Sequence, residues 1–203
     1  MKKILITGFE PFGEDTRNPS GEAVERLIAS DGYELRKLIL PVTWKTAFPK
    51  IREVWDEWQP DGLLMVGLAA GAKTIRIERV GINLCGMTKD NDGLYANGSA
   101  DTPTEAPVVE GAPDGYFTTY NERAIASALA AAEIPAKYSY SAGAYICNYL
   151  LFSSLDKCKK EHSDMKIGFI HLPYAEGQRE DFPTLPLETM VSALKIALDH
   201  LWE

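Results

Sequence analysis

The feature that most constrains this chain is an alternation of short, continuously apolar runs with segments whose apolar residues recur every three or four positions. The runs read as buried strands and the periodic segments as helices packed on a sheet. Strands are expected at Lys3–Thr7, Tyr33–Leu40, Gly62–Gly67, Ala136–Tyr140 and Lys166–Leu172. Thr74–Asn83 alternates Ile75 and Ile77 with Arg76 and Glu78, as a strand with one polar face does. Helices are expected over Gly21–Ser30 behind an Asn18-Pro19-Ser20 cap, Thr43–Trp58, Asn121–Ala132, Gly143–Lys159 and Leu187–Leu201. The stripe Trp44, Ala47, Phe48, Ile51, Val54, Trp55 and Trp58 reads as core. Residues 84–118 are rich in Gly, Pro, Asn and Asp, and read as a long loop with a hairpin near Val108–Phe117. Strand–helix alternation implies an α/β protein with a sheet covered on both faces, and 203 residues suit a single domain, 1–203.

Composition removes several function classes. The formal net charge is −8 and no Lys/Arg block stands out, so no nucleic-acid partner is expected. The apolar stretch after Lys2-Lys3 is too short for a secretion signal and runs into Phe9-Glu10-Pro11. No apolar run approaches the roughly 20 residues of a membrane span. Three cysteines at irregular spacing, Cys85, Cys147 and Cys158, do not form a disulfide framework, and no CxxC pair accompanies the three histidines. A reducing, cytoplasmic setting is expected.

Chemistry in such sheets concentrates beyond the carboxyl ends of strands. Cys147 follows the small residues Ser141, Ala142 and Gly143 between a strand and an apolar run, in the first turn of a helix. Free N–H groups and the positive helix end favour a thiolate there and can hold an oxyanion. The alternative is a small core cysteine. Cys158, among Lys157, Lys159 and Lys160, is expected on a convex solvated surface, and Cys85 in a loop. His171 ends an apolar run, where a general base belongs; the alternative is a structural histidine. His162 and His200 are expected in solvent. Glu78 could orient His171, or simply pair with Arg76 and Arg79 on the surface. Residues 67–74 come close to a P-loop, but Ala72 stands before Lys73 and a strand follows, which argues against nucleotide binding. Phe9 and Phe12 lie in a strand-end turn.

Three segments together resemble the pyroglutamyl peptidase I (pyrrolidone-carboxylate peptidase) family: Gly8–Gly13 with Asn18-Pro19-Ser20, Gly67–Asn83, and Ser139–Asn148. The segments Phe169–Pro173, Val109–Pro113 and Tyr116–Thr119 are also similar to that family, in family order. The resemblance implies a three-layer α/β/α sandwich with a mixed, mostly parallel central sheet, phosphorylase/hydrolase-like. It implies Cys147 as nucleophile, His171 as base then acid, and Glu78 as orienter. It also implies Phe9, Phe12, Tyr145 and Ile146 around the substrate, no cofactor, a peptide substrate with an N-terminal pyroglutamyl residue, and a homotetramer. Activity is expected to change between about pH 5 and 8, where a histidine-dependent step normally titrates.

The chain departs from the family pattern at Arg76 (Ser or Thr favoured), Gly81 (Ala or Cys) and Leu68 (often Gln). Met87 stands where many bacterial members place an arginine, and Lys89 is the nearby cation that could replace it. A cysteine amidase with an altered pocket, or a binding protein on the same fold, therefore stay open at this level. Fast iodoacetamide labelling of Cys147 without cleavage of pyroglutamyl amides marks the first; no enhanced thiol reactivity marks the second.

Overall fold

The computed structural model describes residues 1–202. In chain order the elements are β1 (Lys2–Phe9), α1 (Pro19–Arg26), β2 (Tyr33–Leu40), α2 (Ala47–Trp58), β3 (Gly62–Leu68), β4 (Ile75–Glu78), β5 (Val80–Ile82), β6 (Gly115–Phe117), α3 (Glu122–Ala131), β7 (Ala136–Ser139), α4 (Ile146–Lys160), β8 (Lys166–Leu172), β9 (Tyr174–Ala175), β10 (Thr184–Leu185) and α5 (Leu187–Asp199). Six strands form one sheet in the order β2-β1-β3-β8-β4-β7. All its pairings are parallel except β4 against β8. The sheet is mixed and mostly parallel, as expected.

The alternating direction of side chains along each strand splits the core in two. Leu5, Leu63, Met65, Ile167 and Phe169 point to one face and pack against Ile51 and Trp55 of α2 and Leu150, Leu151 and Leu155 of α4. Ile4, Ile6, Leu64, Val66, Ile77 and Ile170 point to the other, against Val24 of α1, Ile125 and Leu129 of α3, and Leu194 and Leu198 of α5. Three layers result, helices on both faces of the sheet.

Several element boundaries differ from the sequence expectation. Asn18 caps α1 by accepting from Ser20 N, so the helix starts at Pro19 and has ended by Leu27, which is extended. Ile28, within the helix expected over Gly21–Ser30, is exposed outside it. The expected helix at Thr43 starts at Ala47, because Trp44 N donates to Asp90 Oδ2 at 2.9 Å and the chain turns there. Trp44 still packs in the same core. Similarly, α4 starts at Ile146 and not Gly143, whose φ of +80° belongs to a turn.

Thr74–Asn83 is two strands rather than one. It breaks at Arg79, and β5 leaves the main sheet to pair antiparallel with β6. That pairing replaces the hairpin expected near Val108–Phe117: the partner of residues 115–117 lies in another part of the chain. The small parallel pair β9–β10 has no counterpart in the sequence reading. Cys158 is buried rather than solvated, because the last turn of α4 turns it inward toward Met165. His162 is exposed as expected, whereas His200 is half-buried with Nδ1 2.9 Å from Ile196 O. Among the described residues no helix is long and apolar enough to cross a membrane.

Candidate active site

Strand β8 carries His171 to the carboxyl end of the sheet. Its neighbours in register are Gly67 on β3 and Arg76 on β4. Glu78 lies two residues further along β4, opposite Phe169, and so projects from the same face as His171. The diagonal is short enough for a glutamate to span. His171 Nδ1 lies 2.8 Å from Glu78 Oε1, and both side chains are buried. A surface pairing of Glu78 with Arg76 and Arg79 is thereby replaced by a buried one with His171; Arg79 instead bonds Glu122 Oε1 at 2.8 Å. Glu78 Oε2 has no hydrogen-bond partner among the described residues.

Cys147 comes from the other layer. It is the second residue of α4, and its thiol rests directly over β3: a Cβ added to Gly67 would lie 2.9 Å from Cys147 Sγ. Glycine at 67 thus makes room for the thiol beside the imidazole. No side chain caps the N-terminus of α4, so none occupies its first N–H groups.

Burial alone would lower the His171 pKa. The charge and hydrogen bond of Cys147, followed by those of Glu78, outweigh it and raise the pKa to about 9. The imidazole is therefore protonated at neutral pH. With Nδ1 held by Glu78, Nε2 is the nitrogen left for Cys147. Burial pushes the Cys85 thiol up to about 11 and raises Cys158 as well, which leaves both poorly nucleophilic.

Beside the thiol lies a small cleft of about 50 Å³, lined by Phe9, Phe12, Asn18, Val42, Leu68, Tyr145, Ile146 and Cys147. The four side chains named from sequence for substrate contact all lie on this wall. Val42, Asn18 and Leu68 join them. Val42 follows a proline after β2 and carried no signal; Asn18 was read only as a helix cap. Its amide accepts from Ser20 N and Oγ and donates to Glu10 O, so it holds the wall in place.

Loop 84–90 is tied down around the site. Gly86 N donates to Ala144 O at 2.6 Å, just before α4. Buried Asp90 accepts from the backbone N–H groups of Trp44, Asp92 and Leu94. Met87 is exposed, and the Lys89 ammonium lies 5.3 Å over the Tyr95 ring. Asn148, which carried no role in the sequence reading, is completely buried. It holds α4 to this region by donating to Ile82 O and Leu84 O and accepting from Ile82 N, all at 2.9 Å.

A mixed α/β/α sheet with a cysteine at a helix start, beside a histidine paired to a buried carboxylate, defines a cysteine-type hydrolase. Residues 2–203 match the sequence model of the pyroglutamyl peptidase family, and the chain belongs to that family. It is 42% identical over 202 residues to a pyrrolidone-carboxylate peptidase of Thermococcus onnurineus, covering 97% of this chain and 96% of that one. It is 36% identical to a pyrrolidone-carboxylate peptidase of Bacillus subtilis, covering 97% and 90%. Among solved structures, pyroglutamyl peptidase I of Bacillus amyloliquefaciens superposes with a TM-score of 0.91 at 35% identity, covering 98% of this chain and 94% of that one. The pyrrolidone carboxyl peptidase of Thermococcus litoralis gives 0.91 at 34%, covering 99% and 93%.

Proposed function

We propose that Cys147, His171 and Glu78 carry out the hydrolysis of the amide bond after an N-terminal pyroglutamyl residue, the activity of pyroglutamyl-peptidase I. The Cys147 thiolate attacks the pyroglutamyl carbonyl carbon, and the first N–H groups of α4 face the resulting oxyanion. His171 passes its Nε2 proton to the leaving amine as the C–N bond breaks, leaving a thioester on Cys147. Water, deprotonated by the now neutral His171, attacks that thioester. Pyroglutamate leaves, and the thiolate–imidazolium pair is restored. Glu78 keeps Nδ1 engaged through both steps, so Nε2 always faces the reaction.

Phe9, Phe12, Tyr145 and Ile146 form the substrate wall in this reading. An uncharged lactam ring enters an apolar cleft at small cost, whereas an ordinary charged N-terminus would lose its hydration there. The whole chain acts as one peptidase domain, since the central sheet takes strands from residue 2 through residue 172. It acts without a cofactor, because the thiolate is itself the nucleophile. A homotetramer in the cytoplasm completes the reading, on the strength of the family resemblance.

The observation that carries this reading is the placement of Cys147 Sγ over Gly67, next to an imidazole held by Glu78 at 2.8 Å. A fluorogenic pyroglutamyl amide tests it. Wild type is expected to cleave it, and Cys147→Ala to lose at least about a thousandfold in kcat/KM, the scale of removing a nucleophile from such an array. Wild-type rates in Cys147→Ala would overturn it.

A further inference from the structure

The register of the sheet sets out the site as a row. His171 pairs with Gly67 on one side and with Arg76 on the other, and Arg76 pairs in turn with Lys137 of β7. Paired residues project from the same face, so Gly67, His171, Arg76 and Lys137 line one level across four strands. Past Gly67, β1 continues the row with Phe9, two residues on from the Thr7–Met65 pair. Phe9 belongs to the cleft wall, and Cys147 sits over Gly67. The row therefore reads, in order, ring cleft, nucleophile, proton donor, Arg76, Lys137. A substrate whose lactam lies over Phe9 and whose leaving amine takes its proton from His171 must run on toward Arg76 and Lys137.

Those two side chains are available to a ligand. Among the described residues neither makes an ion pair with a carboxylate, whereas the neighbouring Arg79 pairs with Glu122. Arg76 is half-buried, and its Nε is fully shielded from solvent with no hydrogen-bond partner. An unpaired guanidinium nitrogen in that position is costly unless something bound there satisfies it. Lys137 is exposed beside it. Two like charges directly opposite on neighbouring strands repel each other, which adds to the demand for a counter-charge. The carboxylate on the same face, Glu78, turns Oε1 to His171 and makes no ion pair with either cation.

We propose that Arg76, supported by Lys137, forms the subsite for the residue after pyroglutamate and selects a carboxylate there. The inference rests on the catalytic reading above, which fixes the direction in which the substrate lies. The carboxylate can come from an acidic side chain or from the free C-terminus of a pyroglutamyl dipeptide. Arg76 receives it through charge-assisted hydrogen bonds, and Lys137 adds a second charge at the solvent edge.

The test compares kcat/KM for four substrates: pyroglutamyl-alanine amide, pyroglutamyl-glutamate amide, pyroglutamyl-alanine with a free carboxylate, and pyroglutamyl-lysine amide. The quantity read is each ratio to the neutral alanine amide within one protein, which cancels general losses of activity. Wild type is expected to favour at least one carboxylate substrate by about tenfold, the size of one charge-assisted hydrogen bond, and to disfavour the lysine amide. Preference for the glutamate amide assigns the carboxylate to a side chain; preference for the free acid assigns it to the chain end. Arg76→Gln should bring the ratio close to one, Arg76→Lys should keep part of it, and Lys137→Gln should lower it by about two- to threefold. Should Arg76→Gln not fold, Lys137→Gln and wild type at rising salt still decide, because the ratio must fall as ions screen an exposed subsite. A wild-type ratio near one, or a ratio untouched by these changes, overturns the subsite while leaving the peptidase reading intact. Cleavage of none of the four substrates overturns both.

Discussion

Gly67 shows how one missing atom shapes the site. Its backbone is held by its parallel pairing with His171 of β8, which limits its retreat from a larger side chain. A Cβ there would lie 2.9 Å from Cys147 Sγ and 3.0 and 3.1 Å from the Phe169 ring. The thiol is the movable partner of the two. Gly67→Ala is therefore expected to fold, with a stability loss of about 1–3 kcal/mol from overpacking. The displaced sulfur should lower kcat/KM by about a hundredfold, as misplacements of the order of 1 Å do. The rate of Cys147 alkylation should fall with it, because the thiol leaves the imidazolium that stabilises its anion. Retention of activity within about threefold of wild type would show that the sulfur does not depend on this opening.

Helix α4 brings a catalytic side chain from one layer to partners in another, so its position relative to the sheet decides the geometry. Asn148, one residue after Cys147, fixes that position through its three backbone bonds to Ile82 and Leu84. Asn148→Ala leaves Leu84 O and Ile82 N without their partner, while Ile82 O keeps Leu84 N, and is expected to cost about 2–4 kcal/mol, read from urea unfolding. Asn148→Asp should be at least as damaging, since it turns the two donated bonds into oxygen facing oxygen. At this scale the sequence was legible where an element's own pattern decides its structure. The runs at Gly62 and Lys166 and the stripe of α2 announce their burial through composition and period, whereas Tyr33–Leu40 is buried only at its two ends. It was less legible where a distant group decides. Asp90 shortens α2 by taking Trp44 N, and residues 115–117 draw β5 away from β4. The arrangement of Cys147, Glu78 and His171 followed from a resemblance, because their spacing of 69 and 24 residues carries no local signal. Val42 and Asn148 escaped because nothing in their own neighbourhoods marks what they touch.

The whole molecule feels the site through proton linkage. The sequence places the histidine-dependent change between about pH 5 and 8; the charges and hydrogen bonds of Cys147 and Glu78 outweigh burial and move the His171 pKa to about 9. In the unfolded chain a histidine titrates near 6.5. Between these values His171 holds a proton in the folded protein that the same residue has released in the unfolded chain. The share of stability that His171 contributes must then fall as pH rises through that window. The contribution of His171 is complete below about pH 6.5 and gone above about 9, and it amounts to about 3 kcal/mol. The same deprotonation removes the acid that protonates the leaving amine. The alkaline limb of kcat/KM and the alkaline loss of stability should therefore share a midpoint near pH 9. Thermal unfolding from pH 6 to 10, run beside the pH–rate profile, checks both. His171→Gln should unfold with a flatter pH dependence across the window, because the surface groups that titrate in both proteins cancel in the difference. If wild type and His171→Gln lose stability in parallel, the proton is not held where the geometry puts it. Catalytic competence and alkaline stability would then be separate properties of the molecule.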